Sequence, residues 1–250
     1  LMLEDGIPMA LNPYSEPDLN HAPVIERYRS IEVVKGSGNI LFGPQTLAGT
    51  INFITLAPPD KQTITTDLDV GTYGYTRGVA TYGDTVGDAR YVTQLVYRRG
   101  DGFRDQPFEQ WSGIAKAVLP TGPSGELTAK LDFQHDDSAS DDIGLTRDMF
   151  RANPRRPTLS PDAHSRLDRY SASLIHEQRL GDKTKLKTLV YGYITDRDWR
   201  RPDWTRNPVA GERYLRVNGD TSVPGGAIYF QGGNSSLSRQ YSVIRVEPRF

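Results

Sequence analysis

The sequence predicts a mainly β protein: a small β unit followed by the first strands, about eight, of a large antiparallel meander of the transmembrane-barrel type. Three observations carry this. The 250 residues include 24 Gly, 17 Pro and 13 Tyr, a composition of turns and strands rather than helices. From residue 63 onward, successive segments alternate apolar and polar side chains with period two. The links between those segments alternate between tight and long, as in barrels with short turns at one end and long loops at the other.

The first unit centres on "IEVVKGSGNILFGPQTLAGTINFIT", residues 31–55. Gly38 and Gly43 stand at the spacing of a phosphate loop, but Pro44 and Gln45 occupy the places where Lys and Ser/Thr would have to reach phosphate and metal. A dinucleotide fingerprint would need a glycine at Leu41. "IEVV" and "TINFIT" are β-branched or aromatic runs of strand length, so the stretch reads as strand, glycine turn, strand.

After "APPDKQ" (57–62) the meander begins. "TITTDLDVG" sets Ile64, Thr66, Leu68 and Val70 against Thr65, Asp67 and Asp69. The clearest alternation is in "ELTAKLDFQHD", with Leu127, Ala129, Leu131 and Phe133 on one face and Thr128, Lys130, Asp132 and Gln134 on the other. "RYVTQLVYRR", "WSGIAKAVL", "RYSASLIHEQRL" and "SRQYSVIRVEPRF" add further strands. So do "YTRGVATYGD" and "KLKTLVYGYITDRDW", in which the two faces are not separable by sequence. Tight turns fall at "VGD", "TGPSG" and "GDKT", each after an even-numbered strand; the longer links are "GDGFRDQPFEQ", residues 136–167 and residues 200–236, with "GTYG" a short first member. A soluble sandwich or propeller also has short strands and turns. It rarely tolerates two structureless loops longer than about 15 residues, which favours the barrel.

Several function classes are excluded or weakened. A net charge of −1 gives no reason to expect nucleic-acid binding. With no cysteine there is no disulfide framework and no thiolate metal site. No stretch reaches the roughly 20 apolar residues of a membrane helix, which leaves barrel strands of about 9 to 11 residues open. The four histidines show no metal-ligand spacing, and "DDSASDD" (136–142) lacks the central glycine of a calcium loop. "RGD" at 99–101 reads as the polar start of a loop. No nucleophile, base and oxyanion set is visible, so the sequence reads as a non-enzyme with no resident cofactor. Tyr91 and Tyr97, near strand ends, read as interfacial girdle residues.

Taken together, Ile31, Glu32, Val33, Lys35, Gly36, Phe42, Gly43, Ile51, Asn52 and Ile54 with the strand train resemble a TonB-dependent outer-membrane receptor. The resemblance spans the chain and is nearest the ferric dicitrate receptor branch, through "DGIPMALNPYSEPD", the "GPQ" turn and "GLTRDMFRANPRRP". Lys35 stands where many relatives carry Arg, which weakens bidentate pairing there. The resemblance implies residues 1–59 as the C-terminal part of a plug domain and 60–250 as the N-terminal part of a barrel. A complete receptor would add a signal peptide, an energy-coupling segment, the first half of the plug and a barrel of about 22 strands, so an internal fragment is expected.

By the same resemblance the protein lies in the bacterial outer membrane, against its lipid. It takes up a ferric chelate, ferric citrate foremost, with iron only as chelated cargo, and is energised by a periplasmic TonB-type protein. Another siderophore, a cobalamin or a sugar is the alternative cargo; an adhesin or carbohydrate-binding protein is the alternative class. Candidate ligand residues are Asn12, Tyr14 and Gln45 on plug turns, Arg151, Arg155 and Arg156 in "FRANPRRP" of the link at 136–167, and Trp199, Arg200, Arg201 and Trp204 in "DRDWRRPDWTR" at the start of the link at 200–236. Guanidinium groups stay charged and grip carboxylates in a planar fork, as an anionic chelate requires. The competing reading pairs these arginines with the interspersed aspartates of a solvated loop.

Overall fold

The computed structural model describes residues 1–9, 23–36, 49–141 and 143–249. Two sheets hold most of them. The first has the order β2-β1-β4-β3, built from β1 (Met2–Glu4), β2 (Ile7–Pro8), β3 (Tyr28–Lys35) and β4 (Gly49–Thr55). β1 and β2 form a hairpin through Asp5 and Gly6, whose φ values of 50° and 79° are what a two-residue Asp-Gly turn demands. β1 then pairs parallel to β4, and β4 antiparallel to β3. This is the strand, turn, strand arrangement expected at 31–55; the turn itself, with Gln45, lies outside the described residues. Where β4 starts, Gly49 has φ 138°, and a Cβ there would stand 2.4 Å from the Val34 carbonyl oxygen. Only glycine lets the two backbones meet at that point.

The second sheet is antiparallel throughout, with β5 (Thr63–Val70), β6 (Thr76–Val86), β7 (Ala89–Gly100), β8 (Phe108–Pro120) and β9 (Gly125–Ala139) followed by β10 (His164–Arg179), β11 (Lys185–Thr205), β12 (Arg216–Gly219) and β13 (Ala227–Arg249). Its order, β12-β13-β11-β10-β9-β8-β7-β6-β5, is a meander of eight long strands with β12 as a short addition within the last long link. These are the eight segments that the alternation marks out. β11 and β13 run farther than expected, to 21 and 23 residues. The link expected at 200–236 therefore shrinks, and Trp199, Arg200, Arg201 and Trp204 belong to β11. Charge and Pro202 suggest a loop there, yet β11 stays paired with β13 up to Pro202 and resumes at Trp204 after a register shift. A strand beyond an apolar zone has no reason to lose polar side chains while its backbone remains bonded.

The two faces of the large sheet differ chemically. On β9, Lys130 and Gln134 are buried while Leu131 is 63% exposed. One face receives the first sheet, as expected from the alternation, with Lys130 and Asp132 reaching it. The other is an apolar belt including Leu95, Leu131, Leu174, Ile194 and Ile244, all exposed. Aromatic pairs bracket this belt: Tyr82 with Tyr91, ring centroids 5.9 Å apart, toward the short turns, and Tyr97 with Trp111, at 4.3 Å, toward the long links. Tyr91 and Tyr97 are six residues apart on β7, about 20 Å along the strand, close to the height of an apolar band flanked by aromatic girdles.

At the long-link end the loops have their own core. Ile143, Met149, Leu159, Ile228 and Phe230 cluster there, with Leu145 and Trp204 packed on them. The helix α1 (Arg147–Ala152) enters this core through Met149 and is capped by the Thr146 hydroxyl, which accepts from the Met149 amide at 3.3 Å.

Gly49→Ala should separate β3 from β4 and cost about 2 kcal/mol or more, since it adds a clash to a positive φ. Amide hydrogen exchange should show faster exchange confined to β3 and β4; unchanged protection there would contradict the close approach.

Candidate functional site

Charged groups align the first sheet on the inner face. Glu4, at the end of β1, accepts from Arg27 at 2.9 Å, from Lys130 of β9 at 2.6 Å and from the Tyr28 hydroxyl at 2.7 Å. Arg27 also reaches Asp132 of β9 at 2.9 Å. Asp5 takes Lys130 at 3.0 Å and Lys116 of β8 at 3.6 Å, and is oriented by the Thr55 hydroxyl at 2.7 Å and amide at 3.0 Å. Lys116 and Lys130 are register partners on neighbouring strands, so their ammonium groups share the two carboxylates. Burial alone would push the Glu4 carboxyl up, but Lys130 and Arg27 outweigh it and hold the group well below its ordinary value of 4.5. Asp5 is depressed in the same way against its own burial, by Lys130 and then Lys116.

Apolar and further polar contacts extend this attachment. Ile7 packs with Ile175, Leu189 and Tyr191, and Val24 with Val79 and Val96. Glu26 receives Arg98 of β7 and, at 3.7 Å, Arg77 of β6. Arg169 of β10 donates to the Met9 carbonyl at 2.9 Å, with its guanidinium carbon 3.9 Å from the Tyr193 ring centroid.

Above the docked sheet, on the same face, β11 presents a second cationic group. Arg197 and Arg201 lie 5.1 and 4.6 Å from the Trp199 ring centroid, so the indole stands between two guanidiniums. Arg239 of β13 is the register partner of Arg197. Strand parity places Arg197, Trp199 and Arg201 with Tyr191 and Tyr193 on the inner face.

The other expected ligand residues divide. Arg200 is the register partner of His164 and points to the opposite face, away from Trp199. Trp204 packs into the loop core, and Arg206 lies over its ring at 5.7 Å. Arg151 sits exposed on α1, 3.5 Å from Asp148. Arg155 covers Tyr73 and Phe103 at 5.8 and 5.6 Å, and the Arg156 carbonyl accepts from Arg104 at 2.8 Å. The first long link is thus tied to its neighbours. Asn12, Tyr14 and Gln45 lie outside the described residues. Sequence reasoning missed Glu4, Asp5, Arg27, Lys116 and Arg169. The available signal was a charge at the inward parity of a strand whose other inward residues are buried.

No family model matches the chain. Solved structures do. The unliganded ferric citrate transporter FecA is 23% identical, with a TM-score of 0.66 over 80% of this chain and 31% of its own. The fold is that of part of a TonB-dependent receptor. The siderophore receptor PiuA of Acinetobacter baumannii (12% identical, TM-score 0.64, 80% of this chain and 29% of its own) has the same receptor fold. So does the pyoverdine receptor FpvA of Pseudomonas aeruginosa PAO1, solved with pyoverdine bound (16%, 0.64, 81% and 31%). The chain spans about a third of the length of these receptors.

The docking charges imply a pH dependence. Glu4 and Asp5 are depressed when docked, so their contribution is complete above their ordinary values of 4.5 and 3.8 and is lost as pH falls below them. Proteolysis of the β1–β2 hairpin should be slow at pH 7 and accelerate between about pH 4.5 and 3, with a smaller change in Glu4→Gln. A hairpin equally protected at pH 7 and pH 3 would contradict this.

Proposed function

We propose that this chain is part of a bacterial outer-membrane transporter that takes up an anionic ferric chelate, energised by a periplasmic TonB-type protein. In this reading residues 1–59 are the later part of the plug and 60–250 the first part of the barrel, whose apolar belt faces lipid. Iron is cargo within its chelate, and ferric citrate is the chelate we assign. The observation that carries the reading is the inward group Arg197, Trp199, Arg201 and Arg239, above a small sheet docked inside the curve of the large one.

The chemistry follows from that group. A chelate built on carboxylates offers planar acceptors to guanidinium forks, and the Trp199 ring between two of them restricts how they can turn. Away from bulk water, each such hydrogen bond is stronger than at an exposed loop tip. Arg200 has no part in this, because its side chain leaves from the opposite face. Asn12, Tyr14 and Gln45 on plug turns, and Arg151, Arg155 and Arg156 in the outer loop, are secondary candidates for the same cargo.

A charge-assisted contact contributes about 1.5 to 3 kcal/mol, so losing one true contact weakens binding roughly ten- to a hundredfold. Titration of the complete gene product with ferric citrate should show such a loss in Arg197→Ala and in Arg201→Ala. Arg200→Ala should change affinity less than about twofold. Failure of the unsubstituted protein to bind ferric citrate would overturn the cargo assignment, and an equal loss in Arg200→Ala would overturn the site.

A further inference from the structure

The first sheet is joined to the large one by residues 56–62, and this link is held against the wall. The Leu56 amide donates to the Arg27 carbonyl at 2.9 Å, and the Leu56 carbonyl accepts from Lys116 of β8 at 3.3 Å. Pro58 is buried. The Pro59 carbonyl accepts from the Thr85 hydroxyl of β6 at 2.7 Å, and the Pro59 ring lies against Gly83, two residues earlier on that strand. A Cβ at position 83 would stand 2.5 Å from Pro59 Cδ, 2.8 Å from its Cγ and 3.0 Å from the Tyr91 carbonyl oxygen. Gly83 does not have a positive φ, so the position needs glycine for space and not for backbone conformation. The missing side chain makes a socket for the proline ring.

The hairpin of β1 and β2 is seated differently. Ile7 packs with Ile175, Leu189 and Tyr191, and the Met9 carbonyl accepts from Arg169. A cavity of about 30 Å³ remains there, with Ile7, Pro8, Met9 and Ser173 among its lining, and the buried Ser173 hydroxyl has no hydrogen bond. Atoms beside a void lack dispersion partners on one side, so this contact is looser than the one at Gly83. Lys116 serves both places, 3.6 Å from Asp5 in the hairpin turn and 3.3 Å from the Leu56 carbonyl, and keeps the second partner if it loses the first. We propose that residues 56–59 are a fixed pivot: when the first sheet parts from the wall, β1 and β2 leave β10 and β11 while Pro59 stays in its socket on β6.

The proposal rests on the transporter reading given above and adds how far the first sheet can travel. A proline fixes its own φ and holds the residue before it extended, so Ala57 and Pro58 give the link little slack. With the whole link free, Thr55 could move about 27 Å from Thr63; held at Pro59, it reaches no more than about 13 Å from that point. The end of β4 therefore stays beside β6 and β8. A passage forms between the hairpin and β10 and β11, without loss of the whole sheet from the wall.

The socket and the pivot are tested separately in the complete receptor. Trypsin cleavage after Lys61, an exposed residue of the link, reads release of the link. It should be about tenfold faster in Gly83→Ala. Gly78→Ala, on the same strand where a Cβ would meet nothing within 4 Å, should leave it within about twofold. An unchanged rate in Gly83→Ala would overturn the socket. A disulfide between Pro59→Cys and Gly83→Cys then locks the link, and maleimide labelling of Ser173→Cys in moderate urea reads parting of the hairpin from the wall. Labelling should proceed at the same rate, within about twofold, with and without the lock. A tenfold slower rate in the locked protein would overturn the pivot, since the hairpin would then part only when the link lifts. Uptake of ferric citrate should likewise survive the lock; loss of uptake that a reductant restores would contradict the proposal. If the unsubstituted receptor takes up no ferric citrate, the cargo assignment falls, and the trypsin and labelling results still decide the pivot.

Discussion

The buried ion cluster joining Glu4, Asp5 and Arg27 to Lys116, Lys130 and Asp132 is the constraint on which the rest of the arrangement depends. It fixes which face of the large sheet is internal, since two lysines side by side on neighbouring strands must meet carboxylates or leave charge unpaired. It fixes the height of the first sheet along the strands, because Lys116 and Lys130, side by side in one row, meet Glu4 and Asp5 together. With that height set, Arg197, Trp199 and Arg201 lie farther along the strands toward the loop end, with Arg197 buried.

Magnitudes separate what holds the sheet from what positions it. Desolvating each of these charges costs several kcal/mol, and the mutual attraction of well-placed partners roughly returns it. Net adhesion therefore comes mainly from apolar burial: Ile7 against Leu189 and Tyr191, and Val24 against Val79 and Val96, each side chain contributing about 1.5 to 3 kcal/mol. The ion cluster contributes alignment, because a displaced sheet would lose its partners while still bearing the cost of burial. An interface of this kind is specific without being excessively tight.

Much of the fold is legible in the residues themselves. The period-two alternation of "ELTAKLDFQHD" gives both the strand and its faces, since Lys130 and Leu131 are adjacent and go opposite ways. The spacing of "VGD", "TGPSG" and "GDKT" gives the meander. The candidate site is legible only in part. Arg200 and Arg201 are neighbours of one type in one charged run, and nothing local separates them; their opposite faces follow from pairing between β11 and its neighbours, which is a property of the whole sheet. Trp204 similarly goes to the loop core because the register shifts between Pro202 and Trp204. Glu4 and Asp5 were hidden for another reason. An acidic pair beside Gly6 reads as an ordinary turn until strands far along the chain bring Lys116 and Lys130 over it.

The most direct measurement of the central claim is a double-mutant cycle between Glu4→Gln and Lys130→Met, read as the opening free energy of β1 by native-state hydrogen exchange. If the two groups hold the sheet in register across a buried interface, each single change should destabilise docking and the double change should cost less than their sum, with a coupling of about 1.5 kcal/mol or more. Effects that add to within about 0.5 kcal/mol would mean that the contact is incidental and that apolar packing alone sets where the sheet sits.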